Sequence, residues 1–320
     1  MTTFADLTSQ LRVPVLASPM FIISTPDLVI AQCTSGIIGS FPALNARPQS
    51  ALRDWLKLIT VAREEHDREH PENPSAPFAV NLIVHRSNNR LEEDLATIAE
   101  FEVPIVITSL GARTDINDAV HAYGGIVLHD VIDNRFARKA IEKGADGLIA
   151  VAAGAGGHAG RQSPFALIRE IREWFAGPLL LSGAIAHGDS VLAALAAGAD
   201  LAYVGSAFIA TEEANADPAY KEMIVGSGAS DIVYSNLFTG VHGNYLRGSI
   251  VAAGLDPDHL ADSDPSAMSF ATTDTDTKAW RDIWGAGQGI GAIDAVLPTH
   301  AVVERLAAEY AAARERICRL

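Results

Sequence analysis

LLLSGAIAHGDSVLAALAAGADLAYVGSAFIA, residues 179–210, reads as strand, turn, helix, strand, turn. Leu179–Ser182 and Leu201–Val204 are continuous apolar runs rather than alternations of apolar and polar residues. Strands of that kind are covered on both faces, as in a parallel sheet flanked by helices. Each run ends in small residues, Ser182–Gly183–Ala184 and Gly205–Ser206, and a helical pattern follows. The same unit recurs upstream. Val13–Ala17, Ile37–Phe41, Phe78–Val84, Ile105–Thr108, Gly125–His129 and Gly147–Val151 are six further apolar runs with helix-like stretches between them. One of those stretches opens at Thr25–Pro26–Asp27, with proline in the first turn, where its missing N–H costs nothing. Eight strand–helix units over about 200 residues predict a (β/α)8 barrel of the α/β class. A doubly wound open sheet needs a Gly-x-Gly-x-x-Gly turn after its first strand, and the turn there is Ser18–Pro19–Met20–Phe21.

Beyond Phe208 the rhythm changes. Residues 1–210 are expected to form the barrel. Residues 211–276, polar and rich in Ser, Thr and Asp towards their end (DSDPSAMSFATTDTDT), are expected to form a smaller, mainly helical subdomain lying over the barrel mouth. Residues 277–320 are expected to return to the barrel through the glycine-rich turn Trp284–Gly289 and a helix from about Thr299 to Arg316.

The composition narrows the function. Of 320 residues, 48% are hydrophobic and 20% charged, ordinary for a folded soluble chain. The formal charge of −15 repels a phosphate backbone, so nucleic acid is not expected as a partner. It does not exclude a small anion held by local backbone donors. No apolar stretch is long enough to span a membrane, and the start MTTFADLTSQ lacks the basic region of a signal peptide. Two cysteines, Cys33 and Cys318, form no disulfide framework or zinc site, and a cytoplasmic location is expected.

In a (β/α)8 barrel the chemistry sits at the C-terminal ends of the strands. The loops after the seventh and eighth runs are the usual phosphate site of this fold, and both are built of small residues here. One glycine turn alone makes only a tight bend; two at this pair of strands point to phosphate. After the sixth run, Gly156–Gly157–His158–Ala159–Gly160 surrounds one imidazole with residues that leave space beside it. Histidine exchanges a proton near neutrality, so His158 is the candidate acid–base residue. His66 and His70 lie in a charged run with no third ligand in sight, so no metal is expected. Ser182 and Ser206 have no evident base and are read as ligand contacts.

SPM (18–20), VNL (80–82), GADGLIAVAAGAGGHAG (144–160), LSGAIAHGDSVLAALAAGAD (181–200), YVGSAFIAT (203–211) and IWGAGQGIGAID (283–294) occur in the same order in a known family. The chain resembles the nitronate monooxygenases, formerly 2-nitropropane dioxygenases, FMN-dependent (β/α)8 enzymes. The resemblance implies FMN as cofactor. Pro19, Met20 and Phe21 would line the flavin ring and Asn81 would bond to it. Gly157 would touch it beside His158, and Gln288 would approach it from the lid side. Ser182, Gly183, Ala184, Gly205 and Ser206 would cradle its phosphate. Asp130, just past the fifth strand, stands where family members frequently carry a flavin-contacting lysine, so this chain departs from the pattern there. His158 matches the family's catalytic base or substrate-orienting group.

The activity implied is oxidation of alkyl nitronates, and of nitroalkanes, with O2 to carbonyl compounds and nitrite. The alternative on the same scaffold is an NAD(P)H-dependent FMN reductase acting on an enoyl thioester or a quinone. A non-catalytic flavin-binding protein and a flavin-free phosphate-binding barrel are the further readings. The partners expected are a small-molecule substrate and O2, with no nucleic acid and no membrane. The oligomeric state is left open, with a homodimer as the candidate.

Overall fold

The computed structural model describes residues 3–263 and 282–319. Nine strands precede residue 210: β1 (Val15–Ala17), β2 (Gly39–Pro42), β3 (Phe78–Ile83), β4 (Ile105–Ser109), β5 (Ile126–Val131), β6 (Gly147–Val151), β7 (Gly157–His158), β8 (Leu179–Ser182) and β9 (Leu201–Val204). All but β7 form one parallel sheet in the order β1-β9-β8-β6-β5-β4-β3-β2. Ala17 N–H donates to Ile38 O at 2.8 Å and Ile38 N–H to Val15 O at 3.2 Å, which joins β1 to the chain entering β2 and closes the ring. The architecture is therefore an eight-stranded parallel barrel with helices between the strands.

The apolar runs hide a two-residue period. Val106, Val127, Leu148, Leu181, Ala202 and Val204 face outward into the core shared with the helices. Leu16, Ala79, Ile107, Leu128, Ile149, Leu180 and Leu201 from the strands, with Ile38 just before β2, fill the interior. Phe4, Leu7 and Leu11 pack against this inner cluster and plug its lower end. Two residues further along each strand, the next inward layer is mostly polar: Ser18, Ser40, Asn81, Ser109, Asp130, Val151, Ser182 and Tyr203. The barrel thus ends in an apolar floor under a polar mouth, where a buried polar group has a use only if it meets a partner.

Residues after β9 build over that mouth. They include helices α1 (Pro218–Val225) and α2 (Arg247–Ala252), with strands β10 (Ile232–Ser235) and β11 (Gly243–Leu246) between them. The two strands pair antiparallel, and β7 joins as a third strand through His158↔Gly243 and Gly157↔Asn244. The helices were expected; the three-stranded sheet was not signalled. Residues 264–276 of the expected lid lie outside the described residues. The chain returns through Trp284–Gly289, where Leu246 N–H donates to Trp284 O at 2.8 Å and Tyr220 stacks on Trp284 with centroids 4.9 Å apart. Helix α3 (Thr299–Cys318) then packs against the helix Gly188–Ala197.

Candidate active site

A cavity of about 1470 Å³ opens at the C-terminal ends of the barrel strands. Of the sequence-predicted residues, Pro19, Met20, Phe21, Asn81, Asp130, Gly157, His158, Ser182, Gly183, Ala184, Gly205 and Ser206 all line it. Gln288 does not. It is exposed, and its backbone N–H donates to Gly154 O at 2.9 Å, while its neighbours Gly287 and Gly289 reach the cavity wall.

The cradle forms where β8 and β9 end side by side. Gly183 has φ +143°, and a Cβ there would lie 2.7 Å from Ala153 O, so only glycine fits. No carbonyl of the described residues accepts from the N–H groups of Gly183, Gly205 or Ser206. Donors left without a partner beside a cavity are what an anion needs. Ser206 Oγ accepts from Gly287 N–H at 2.9 Å, which leaves its own proton to donate. Ala184 differs from expectation. Its N–H is spent on Gly154 O at 3.1 Å, and its φ of +55° is left-handed, a region that costs an L-residue about 1 kcal/mol or more. It shapes the turn without donating into the cradle.

Across the mouth, Asn81, Ser109 and Asp130 occupy neighbouring strands β3, β4 and β5. Asn81 Nδ2 donates to Ile107 O at 3.1 Å and to Ser109 Oγ at 2.7 Å, and Ser109 Oγ donates to Asp130 Oδ2 at 2.6 Å. Both Asn81 amide protons are therefore used, and what it offers a ligand is the acceptor Oδ1. Asp130 lies within β5 rather than past its end, facing inward. Burial pushes its carboxyl up to about 6, against the Ser109 hydrogen bond, which lowers it. Oδ1 is buried and has no partner among the described residues.

His158 sits on β7, pinned by the inserted segment. Gly157 has φ +63°, which turns the loop towards β11. Asn244 Nδ2, buried, donates to Ala155 O at 2.6 Å, Ala159 N–H to His242 O at 3.1 Å, and Tyr234 OH to Ala159 O at 3.0 Å. The imidazole Nε2 lies 3.0 Å from Thr239 Oγ1. Thr239 has one hydroxyl proton, which it donates to Val241 O at 3.0 Å. Towards His158 it accepts, so Nε2 carries the ring proton and Nδ1 the lone pair. Burial drives the imidazole down to about 4, so the ring is neutral at pH 7.

Thr239, Asn244 and Ser109 were not found from sequence. Ser109 had a signal, being polar at the inward end of an apolar strand. Thr239 and Asn244 had none, because their partners lie 81 and 89 residues away.

The class is that of an eight-stranded parallel barrel whose candidate site, with the turns at Gly183 and Gly205–Ser206 and the imidazole of His158 in its wall, opens at the C-terminal ends of the strands. The nitronate monooxygenase family model matches residues 4–309, and the chain belongs to that family, one of flavin-dependent oxidoreductases. A nitronate monooxygenase of Paraburkholderia phytofirmans is 26% identical over 288 residues, 76% of each chain. The structure of a nitroalkane oxidase from Streptomyces ansochromogenes superposes with TM-score 0.80 at 23% identity, covering 97% of this chain and 99% of that one. That of FabK from Thermotoga maritima superposes with TM-score 0.76 at 24% identity, covering 98% and 97%. Both structures share the fold. No helix among the described residues is long and apolar enough to cross a membrane.

Proposed function

We propose that the protein is an FMN-dependent nitronate monooxygenase, oxidising alkyl nitronates and nitroalkanes with O2 to carbonyl compounds and nitrite. The observation that carries this reading is the imidazole of His158, with Nε2 3.0 Å from Thr239 Oγ1, in the wall of the same cavity as Gly183, Gly205 and Ser206. The residues present fit FMN. Gly183 leaves room that a Cβ would fill, and the N–H groups of Gly183, Gly205 and Ser206 with the Ser206 hydroxyl would hold the phosphate. Pro19, Met20 and Phe21 would line the ring, with Asn81, Asp130 and Gly157 against its other edges.

When bound, FMN supplies the redox chemistry, passing electrons from the substrate to O2. His158 Nδ1 takes the α-proton of a neutral nitroalkane, while Nε2–H stays on Thr239 and keeps the ring oriented. A substrate that arrives as the nitronate has already lost that proton and uses His158 for placement alone. Residues 211–263, the described part of the proposed lid subdomain, hold the imidazole through β10 and β11 and line the mouth. The free thiols of Cys33 and Cys318 support a reducing, cytoplasmic setting.

One observation favours the second reading, an NAD(P)H-dependent FMN reductase for an enoyl thioester or a quinone. The cavity exceeds the roughly 300–1,000 Å³ of ordinary small-molecule sites. Its lining cations Arg47, Lys139 and Arg161 pair with no carboxylate among the described residues, which would suit a large anionic co-substrate. Anaerobic titration of the flavin-loaded protein decides. Bleaching by an alkyl nitronate, with no effect of NADH or NADPH, supports the oxygenase. Bleaching by a nicotinamide alone would replace it with the reductase.

A further inference from the structure

We propose that Asn45 is a positioning residue: its side-chain amide holds the loop after β1 in a strained shape that presents Pro19–Ile23 to the flavin. The proposal rests on the flavin reading above and names the group, outside the cavity, on which that wall depends.

The strain sits at one residue. Ile22 has φ +68°. That region crowds the Cβ of any L-residue, and a β-branched side chain most of all. Glycine would adopt it freely, yet isoleucine stands there. Four non-glycine residues have such a φ among the described residues; Ile22, Leu110 and Ala184 line the cavity and Glu102 does not. Strain gathered at a site persists only where its surroundings over-determine it.

The surroundings of Ile22 do so. Its N–H donates to Asn45 Oδ1 at 2.9 Å, and its carbonyl accepts from Asn215 Nδ2 at 3.0 Å. One bond lies on each side of the Ile22 Cα, so a rotation of φ or ψ swings a group off its partner. Asn45 Nδ2 spends both its protons on the same loop, on Met20 O at 3.0 Å and on Ser24 O at 2.9 Å. The loop thus offers Asn45 one N–H and two carbonyls, which fits a single orientation of an amide and no orientation of a carboxylate. Met20 N–H donates to Ser24 Oγ at 2.9 Å, and Ser24 N–H to Met20 O at 3.0 Å, closing the turn. Asn215 N–H adds a bond to Ile23 O at 3.0 Å.

What is held is a wall of the site. Pro19, Met20, Phe21, Ile22 and Ile23 follow one another in the cavity lining, and Asn45 is not part of it. Asn45 therefore acts through the loop. Arg47, two residues on, sits over the Phe21 ring at 5.4 Å from its centroid, so the segment after β2 grips the loop by side chain as well as backbone. The loop also adjoins the cradle: a Cβ at Gly205 would lie 3.3 Å from Ser18 Cβ and 3.9 Å from Met20 Sδ. A flavin held there lies against the loop, and a loop relaxed at Ile22 meets it with the wrong shape.

The test compares Asn45→Ala with the double variant Asn45→Ala/Ile22→Gly. Glycine takes a positive φ without steric cost, so it removes the need for the clamp. The left-handed penalty on an L-residue corresponds to about 5- to 30-fold in the population of the required shape. In Asn45→Ala the Kd for FMN is expected to rise by about that factor, and in the double variant most of the loss is recovered. In the apoprotein, the Ser24 amide exchanges its hydrogen faster in Asn45→Ala and is protected again in the double variant, a readout that involves no flavin. Should Asn45→Ala not fold, Asn215→Ala, at an exposed position, carries the same comparison with and without Ile22→Gly. An Asn45→Ala protein that binds FMN as the wild type does, or a double variant no better than Asn45→Ala, overturns the proposal and leaves the flavin reading in place. A wild type that binds no FMN overturns the flavin reading, and Ser24 exchange then decides whether Asn45 shapes the loop.

Discussion

Thr239→Val removes the acceptor that holds His158 Nε2–H while keeping the side chain's shape. The contact replaced is 3.0 Å long and half-buried. Leaving a buried ring N–H without a partner costs about 1–3 kcal/mol, and the ring relieves that cost by rotating or by moving its proton to Nδ1. Either escape takes the lone pair from the position where Nδ1 presents it. At about 1.4 kcal/mol per decade, the expected loss in kcat is about 5- to 140-fold. The loss is confined to reactions that need the base. With a neutral nitroalkane, kcat falls by that factor; with the preformed nitronate it falls by much less, because no proton is transferred. Thr239→Ser restores the acceptor and most of the rate. The assay is steady-state nitrite release from the two substrate forms, with flavin content measured on each variant. Equal losses on nitroalkane and nitronate, or a Thr239→Ser variant as slow as Thr239→Val, would refute the assignment of the proton to Nε2.

Acid should destabilise the fold through His129, which burial holds down to about 4 against 6.5 in the unfolded chain. Above pH 6.5 both states are neutral there; between 6.5 and 4 the unfolded chain takes the proton first, so stability falls as pH falls, by about 3 kcal/mol in all. Asp130, raised to about 6, has the opposite sign, losing stability as pH rises from about 4 to about 6. His158, held down to about 4 in the same way, adds a loss of the same sign, so thermal melts at stepped pH should show the acid loss and His129→Gln should reduce it by about 3 kcal/mol; an unchanged slope would discard the explanation. Ala184→Gly should keep or raise the melting temperature, by the equivalent of up to about 1 kcal/mol, because it relieves a left-handed φ of +55°. Since the Ala184 N–H is given to Gly154, FMN affinity should not change in this variant, and a weakened affinity measured by fluorescence quenching would restore Ala184 to the cradle.

The barrel was readable because its strands are buried on both faces. Gly147–Val151, Leu179–Ser182 and Leu201–Val204 coincide with β6, β8 and β9. The adjacency of the two glycine turns was readable for a related reason: Gly183 and Gly205 follow strands directly, and the fold dictates that those loops neighbour each other. What escaped was the sheet over the mouth. β7 is two residues long and β11 begins at a glycine, so neither carries an alternating pattern. Its side chains find partners only after the loop and the insertion meet, which is why Thr239 and Asn244 gave no local signal. Asp130 was placed one step too far along because the apolar run Gly125–His129 stops at the polar His129; its inward position in β5 follows from the two-residue period through Ile126 and Leu128.

The central claim is that the paired turns at β8 and β9 grip a phosphate. Riboflavin is FMN without that group, so the most direct measurement is the Kd of the apoprotein for each, taken side by side with a Gly205→Val variant. Two or more charge-assisted hydrogen bonds, at about 1.5–3 kcal/mol each, predict that FMN binds at least about 100-fold more tightly than riboflavin, and that the variant loses most of this preference. Equal affinities for the two flavins in the wild type would contradict it.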